Sequence, residues 1–237
     1  MNLQDYQELY SASDLQGFER KLVAFAHHFD FGIVSAAIGV DRPGQAPVFV
    51  AVGNTPKDFA EAARDPEDYK RDPVLQRLKS QSVPFFYDQD LYVKAGGGDL
   101  WEEQARYGFR TGVSLATHLP GGRHFLLGVD REKALPEDDD QLIRLMADLQ
   151  LLAVHAQEAA FRLLMPQALI RMNAPSITAR EREVLQWTME GKSAWTVGQL
   201  LSMSEHTVNF HLRNAMRKFD ASTKQQAALR AREFGLI

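Results

Sequence analysis

Four polar side chains near the C-terminus recur three or four residues apart: His206, Asn209, Arg213 and Arg217. A helix turns 100° per residue, so this spacing places them in one stripe along a single helix. Asparagine can make paired hydrogen bonds to the edge of adenine, and arginine to that of guanine, each good pair giving about 1 to 3 kcal/mol of discrimination. The stripe therefore predicts a helix that reads base edges in the major groove of DNA.

Neighbouring residues fit the same surface. Phe210 points away from the apolar sector of the helix, which contains Val208, Leu212, Ala215, Met216 and Phe219. An exposed phenylalanine contributes nothing on a face that contacts only solvent, whereas in a DNA interface its ring can contact a thymine methyl group or a sugar. Hydroxyl, imidazole and ammonium groups nearby can reach phosphates. We therefore predict nine DNA-contacting residues: Lys192, His206, Thr207, Asn209, Phe210, His211, Arg213, Arg217 and Lys218.

Short helices must position this stripe. Thr178 and Glu181 form a capping box, which predicts a helix that ends at Gly191. A second helix is predicted over 194–202, and Ser204 can cap a third that runs to about Phe219. Two short helices joined by a tight turn, the second one basic, are typical of a helix-turn-helix.

Prolines and charge indicate a boundary in front of these helices. Pro166 and the stretch 173–176 disfavour helix, which predicts an N-terminal domain at 1–165, a linker at 166–176 and a C-terminal domain with the helix-turn-helix at 177–237. Up to Met165 the chain has 17 Lys and Arg against 25 Asp and Glu, net -8, and afterwards 10 against 6, net +4. A basic module on an acidic body is typical of a DNA-binding domain attached to a regulatory one, although charges in a short segment can also cluster by chance.

Composition excludes much other chemistry. The chain has no cysteine, which removes disulfides, thiolate zinc sites and cysteine nucleophiles. No histidine pair has the spacing of a helical metal site, and no serine nucleophile elbow is present, so we expect neither an enzyme nor a cofactor or metal. No apolar run approaches the roughly 20 residues of a membrane helix, and no signal peptide pattern opens the chain. We expect a cytoplasmic protein without a membrane partner.

The first 165 residues mix both kinds of secondary structure. The patterns predict helices at 15–29, 72–79, 100–107 and about 137–164, and strands at 33–40 and 48–52. A hairpin is predicted from strands 113–119 and 124–129, joined by a glycine turn. This order favours an antiparallel sheet flanked by helices, so the fold class of the whole chain is α+β.

The C-terminal module resembles the LuxR-type helix-turn-helix. The resemblance rests on residues 178–185, 191–193, 204–212 and 216–218, with Glu181, Leu185 and Gly191 at the most characteristic positions. It implies an all-α four-helix domain whose last helix, Thr223 to Phe234, serves in pairing. Trp195 and Gly198 depart from the family pattern, in which a charged residue and an alanine are common.

The N-terminal part resembles the autoinducer-binding domain of quorum-sensing regulators. The resemblance rests on residues 72–74, 84–85, 101, 105 and 107–112. It implies an α/β/α sandwich whose cavity holds an acyl-homoserine lactone, with Asp72 accepting the ligand amide. A phosphorylated receiver domain, which also precedes such modules, is disfavoured because the acidic run at 137–140 starts a helix. The implied ligand-facing positions are Phe59, Ala63, Asp72, Val74, Tyr87, Trp101, Ala105, Phe109 and Gly128.

Three of these positions depart from the family. Phe59 and Ala63 stand where the resemblance implies a tryptophan and a tyrosine that donate to the two ligand carbonyls, and Tyr87 stands where tryptophan is usual. Phenylalanine and alanine side chains have no donor. The sequence therefore predicts either a non-standard small ligand or a ligand-independent regulator, with an ordinary lactone sensor as the further alternative. Double-stranded DNA and a second copy of the chain are the expected macromolecular partners.

Overall fold

A computed structural model describes residues 2–42, 45–62, 66–171 and 174–237. The chain divides into two compact units. The first comprises Met1–Gly39, Phe49–Leu119 and Arg123–Pro166, and the second Val40–Val48, Pro120–Gly122 and Gln167–Ile237. In the part of the chain that the structure describes, no helix has the length and apolar character needed to cross a membrane.

The chain up to Arg171 contains eight described helices and five strands. They are α1 Leu3–Tyr10, α2 Leu15–His28, β1 Ile33–Arg42, β2 Gln45–Gly53, α3 Lys57–Ala62, α4 Pro66–Arg71, α5 Pro73–Leu78, β3 Phe85–Tyr87, α6 Gln89–Lys94, α7 Gly98–Ala105, β4 Thr111–Leu119, β5 Arg123–Arg131 and α8 Asp139–Arg171. The strands form one sheet in the order β2-β1-β5-β4-β3. The predicted antiparallel sheet flanked by helices, and with it the α+β class, is confirmed.

The β4–β5 hairpin fixes which side chains share a face. The two strands pair from Thr111 opposite Arg131 to Leu119 opposite Arg123. The predicted glycine turn is confirmed, because Gly121 and Gly122 both have positive φ, at 79° and 66°. Side chains alternate along each strand. One face therefore carries Val113, Leu115, Phe125, Leu127 and Val129, and the other carries Gly112, Ser114, Ala116, Leu126, Gly128 and Asp130.

Different helices cover the two faces. A cluster that includes Val74, Leu78, Phe85, Tyr92 and Leu100 places α5, α6 and α7 over the face that carries Ala116. On the opposite face, the Arg123 guanidinium lies 5.5 Å from the centroid of the Phe161 ring of α8. Rings of α1, α2 and α8 also meet at Tyr6, which lies 5.0 Å from Phe25 and 5.5 Å from His155.

The long helix α8 does not end where the sequence predicts. Pro166 lies inside it, and the helix continues to Arg171. The prediction that the helix stops near Leu164 was therefore wrong. Proline has no backbone N–H, so Pro166 cannot donate the helical hydrogen bond to the Arg162 carbonyl. The many buried residues of α8 can compensate for the loss of one hydrogen bond. The burial of Ala159, Ala160, Leu164 and Ala168 continues on both sides of the proline.

The last four helices are α9 Ala179–Met189, α10 Ala194–Leu201, α11 Glu205–Lys218 and α12 Lys224–Glu233. The capping box is confirmed: the Glu181 N–H donates to Thr178 Oγ1 at 3.2 Å, and the Thr178 N–H donates to Glu181 Oε2 at 2.8 Å. Gly191, just beyond α9, has φ of 74°, as expected for a residue that ends a helix. The four helices share one apolar core, built on Val184, Leu185, Val197, Val208, Leu212, Ala215, Phe219, Ala227, Ala228 and Ala231.

Candidate DNA interface and sensor site

Helix α11 is held by its cap and by one apolar side. The Ser204 side chain accepts the Thr207 N–H at 3.1 Å, which satisfies an orphan donor of the first turn. Val208, Leu212 and Ala215 are buried in the shared core. This packing determines which side of α11 faces away from the core.

The predicted stripe lies on the outer side of α11. His206, Arg213 and Arg217 are exposed, and Asn209 is partly exposed. Phe210 is 50% exposed. Lys192 is exposed in the turn before α10, and Thr207 and His211 are partly buried. These side chains are accessible together, and their contacts with DNA stay a prediction.

Lys218 has a partner within the protein. Its Nζ donates to Glu181 Oε2 at 2.6 Å, and Glu181 is only 3% exposed. Burial raises the pKa of Glu181, but the Lys218 ammonium and the Thr178 donors outweigh it, so the pKa is lowered. The sequence assigned Lys218 to a phosphate contact, and the structure shows that it also links the end of α11 to the start of α9. The phosphate contact itself stays a prediction.

Trp195 and Gly198, the two residues of α10 that depart from the family pattern, have different surroundings. Trp195 is 61% exposed. Gly198 is buried where a Cβ would lie 2.7 Å from the Met203 carbonyl oxygen, and the Met203 N–H donates to the Gly198 carbonyl at 2.9 Å. Ser202 ends α10 with φ of 54°, in the left-handed region. Glycine at 198 therefore permits a tight turn between α10 and α11.

Three residues of the sensor site lie in one row across three strands. Tyr87 on β3 pairs with Gly112 on β4, which pairs with Asp130 on β5. The phenol of Tyr87 crosses over Gly112 and donates to Asp130 Oδ1. A Cβ on Gly112 would lie 2.5 Å from Tyr87 Cζ, and Gly112 is not among the glycines with positive φ. Glycine is therefore required here for space and not for backbone conformation.

Asp130 is a buried carboxyl group, 3% exposed. Burial and the negative charge of Asp72 raise its pKa to about 7, although the Tyr87 hydroxyl opposes the shift. Burial also raises the pKa of Tyr87, as does the charge of Asp130. A polar pair thus lies on the sheet face beneath α5, α6 and α7.

Asp72 belongs to a second polar network nearby. Its Oδ1 caps α5 by accepting the N–H groups of Val74 at 2.8 Å and Leu75 at 3.0 Å. Its Oδ2 accepts from Gln104 Nε2 at 3.0 Å. The Tyr92 hydroxyl lies 3.0 Å from Gln104 Oε1 and 3.3 Å from Asp72 Oδ2. When Tyr92 donates to Gln104, Asp72 has three protein donors for about four acceptor positions.

Phe59 packs among aromatic rings. Its centroid lies 4.3 Å from that of Phe109 and 5.5 Å from that of Tyr107. Trp101 donates its indole N–H to the Arg110 carbonyl at 3.0 Å. Among the other implied ligand-facing positions, Val74 and Ala105 are buried, Gly128 pairs with Ser114 on the face of Asp130, and Ala63 lies outside the described residues.

Sequence reasoning missed Tyr92, Gln104 and Asp130. These three residues lie together with Tyr87 and Asp72, which the resemblance does imply as ligand-facing positions. Asp130 could have been found from its even-numbered position on β5, which shares a face with Gly128. Tyr92 and Gln104 lie on short helices that carried no signal for this site.

Both parts of the chain match known protein families. Residues 14–160 match the family described as "Autoinducer binding domain", and residues 175–231 match "Bacterial regulatory proteins, luxR family". The chain is 31% identical to the transcriptional activator protein SolR of Ralstonia nicotianae over 98% of this chain and 97% of SolR. It is 30% identical to the quorum-sensing regulator RhlR of Pseudomonas aeruginosa over 97% and 93% of the two chains.

A solved structure shares the whole fold. The structure of SdiA in complex with octanoyl-rac-glycerol has a TM-score of 0.69 and 25% identity, covering 98% of this chain and 93% of SdiA. The two domain matches, the relatives and the helix-turn-helix geometry lead to one conclusion. The chain belongs to the LuxR family of quorum-sensing, DNA-binding transcription regulators, a family that is not enzymatic.

Proposed function

We propose that this regulator reads a specific DNA site through α11 and responds to a small molecule other than an ordinary acyl-homoserine lactone. Phe59 carries the proposal: its ring packs against Phe109 and Tyr107 and offers no hydrogen-bond donor to a ligand carbonyl. Because its target is DNA, we place its action in the cytoplasm. The nine predicted DNA-contacting residues are its proposed DNA interface.

Loss of donors has a measurable cost. Each buried acceptor left unpaired costs about 1 to 3 kcal/mol, so a lactone that loses both carbonyl donors would bind about 100-fold more weakly or worse. The SdiA structure contains octanoyl-rac-glycerol, which has no lactone ring. That observation supports a non-lactone ligand on this fold.

A ligand-independent regulator is the second candidate. The Asp72 network favours it, because the cap of α5 and Gln104 already engage both oxygens of the carboxylate. In this case the protein's own side chains would hold the sensor core together.

Expression without any lactone tests both candidates against the ordinary sensor. We expect soluble protein that binds its DNA, and mass spectrometry of the denatured protein then separates the candidates. A co-purified compound supports the non-standard ligand, and a stable protein without one supports ligand independence. Insoluble protein rescued by a lactone at sub-micromolar concentration would show that both are wrong.

We also propose a homodimer. Ile143, Leu151 and Val154 are exposed apolar residues of α8 and lie on one side of the helix at 100° per residue. Helix-turn-helix regulators commonly read paired half-sites with two subunits. Sedimentation at micromolar concentration should show a dimer, and monomer with and without DNA would contradict it.

A further inference from the structure

Two aromatic side chains of the C-terminal domain are exposed. Residues 174–237 contain five aromatic residues, and the other three are buried or partly buried. Trp195 is 61% exposed and Phe210 is 50% exposed. They lie on α10 and α11, the two helices of the helix-turn-helix. A large apolar ring gains free energy when it leaves water, so both rings are suited to a surface that a partner covers.

The start of α10 directs Trp195 outward. The Ser193 side chain accepts the Thr196 N–H at 3.1 Å and caps the helix. Val197 and Gly198 are buried, which places the opposite side of the helix in solvent. Among the described residues, the Trp195 ring joins neither the shared apolar core nor a stacking or cation–π pair. The packing of the domain therefore leaves this ring available to a partner.

The position of Trp195 in the motif favours DNA as that partner. In helix-turn-helix proteins the second helix enters the major groove, and the first helix crosses the sugar-phosphate backbone. Helix α10 is the first helix, and Trp195 is its second residue, three positions after the exposed Lys192. No residue of α10 is acidic, so the helix carries no charge that repels phosphates. Trp195 is thus placed to meet the backbone and not the base edges.

Tryptophan can make two kinds of contact with a DNA backbone. Its indole N–H donates one hydrogen bond, which a phosphate oxygen can accept. Its ring can pack on the deoxyribose beside that phosphate and exclude water. Neither contact neutralises a phosphate charge, so neither releases a condensed counterion. The affinity that such a residue adds therefore depends little on salt.

We propose that Trp195 contacts the DNA backbone, with its indole N–H donating to a phosphate oxygen and its ring packed on the neighbouring sugar. It supplies affinity that is independent of sequence and nearly independent of salt, beside the charged contact assigned to Lys192. This inference rests on the proposed function, in which α11 reads a specific site, and it adds α10 to the interface.

Variants of Trp195 in the full chain test the proposal. The probe is a labelled duplex that the wild type selects from a random-sequence pool, and affinity is measured by anisotropy at several salt concentrations. We expect Trp195→Ala to weaken binding by about 10-fold or more, the loss of one hydrogen bond to a charged group, with the salt slope unchanged. Trp195→Phe keeps a ring and loses the donor, so its affinity should lie between those of the wild type and Trp195→Ala.

Trp195→Lys exchanges one kind of contact for the other. It should recover most of the lost affinity at low salt and steepen the slope of log affinity against log salt concentration by about 0.9. Leu200→Ala is the matched control, because Leu200 is also an exposed apolar residue of α10, 50% exposed, and lies at the other end of the helix. It should change affinity by less than about twofold. All these variants should melt at the wild-type temperature, because both side chains are exposed.

Fluorescence locates the contact directly. Of the three tryptophans, Trp101 and Trp187 are partly buried, so acrylamide quenches Trp195 most strongly. The bound duplex should reduce quenching in the wild type and leave it unchanged in Trp195→Phe.

Three results would overturn the inference: wild-type affinity in Trp195→Ala, wild-type affinity in Trp195→Phe, or no protection of Trp195 by the duplex. Normal DNA binding by Trp195→Ala with loss of transcription control would assign the ring to a protein partner instead. The proposed function is tested separately by Arg213→Ala and Lys192→Ala. If these two weaken binding and the Trp195 variants do not, only this inference fails, whereas no effect from either would refute the proposed interface itself.

Discussion

At the scale of single residues, the burial of Asp130 has a consequence for stability. Its pKa is raised to about 7 in the folded protein, against about 3.9 in an unfolded chain. Below about pH 4 the Asp130 carboxyl group is protonated in both the folded and the unfolded protein. Between about pH 4 and 7 it is ionised only in the unfolded protein, and above about pH 7 it is ionised in both. The groups that face Asp130 are Tyr87, Tyr92 and Asp72. The stability that neutral Asp130 provides is therefore lost as pH rises to about 7.

Thermal denaturation between pH 5 and 8 measures this loss. We expect the melting temperature of the wild type, relative to that of Asp130→Asn, to fall by several degrees across the range. About 1 kcal/mol moves the midpoint by about 2 to 4 °C in a domain of this size. Parallel curves for the two proteins would contradict the assignment.

The Lys218–Glu181 pair predicts a stability effect at the surface of the DNA-binding domain. Lys218→Met leaves the buried Glu181 carboxylate without its cation. We expect a loss of about 1 to 3 kcal/mol in urea denaturation, because the lysine is partly exposed and the pair is not fully desolvated. Lys192→Met, an exposed control, should stay within about 0.5 kcal/mol. Equal midpoints for the two variants would show that the pair contributes nothing.

At the scale of elements, the turn between α10 and α11 depends on close approach. Gly198→Ala would place a methyl group 2.7 Å from the Met203 carbonyl oxygen, and we expect a loss of about 1 to 3 kcal/mol. Ser202→Gly should have the opposite sign, a gain of about 0.5 to 1 kcal/mol, because Ser202 has φ of 54°. Chemical denaturation of both variants checks this, and a neutral Gly198→Ala would contradict the steric argument.

We assign two residues of the proposed DNA interface to different roles, Arg213 on α11 to base edges and Lys192, in the turn before α10, to the phosphate backbone. Arg213→Ala should relax sequence preference at one position of each half-site and cost about 1 to 3 kcal/mol there. Lys192→Ala should weaken all sequences alike and lower the slope of affinity against salt concentration by about one. Binding measured on a set of single-base operator variants at two salt concentrations separates the two effects, and matching profiles would refute the division.

Elements also show how far the sequence could predict this protein. Helix α2, the β4–β5 hairpin and the Thr178–Glu181 cap carry local signals, and the structure confirms all three. Helix α1 was missed because its capping box is formed by Asn2 and Asp5, which differs from the usual Ser/Thr and Glu/Gln pattern. The Asp130 site was missed for a different reason: it depends on the register of three strands, because Tyr87 on β3 and Asp130 on β5 are 43 residues apart in sequence and are brought together only by the pairing of both strands with β4, which no local pattern encodes.

At the scale of the whole molecule, the apolar side of α8 should control assembly. Val154→Asp introduces a charge into that exposed side, and we expect the dimer dissociation constant to rise at least about 10-fold, since a buried unpaired charge costs well over 1.4 kcal/mol. Affinity for a two-half-site operator should fall with it. Val83→Asp, at an exposed residue outside the described helices and strands, is the control. Equal dissociation constants for the two variants would place the interface elsewhere.

The row of Tyr87, Gly112 and Asp130 limits which substitutions this protein can tolerate. A Cβ at Gly112 would lie 2.5 Å from Tyr87 Cζ and also 2.5 Å from the Val129 carbonyl oxygen, so Gly112→Ala should be harmful in the present background and less harmful, but not neutral, once Tyr87 is alanine. Such a partial rescue means that positions 87 and 112 are epistatic and constrained to evolve in a particular order, with glycine at 112 in place before an aromatic ring could cross from β3 to β5. Deep mutational scanning of paired substitutions would reveal that order.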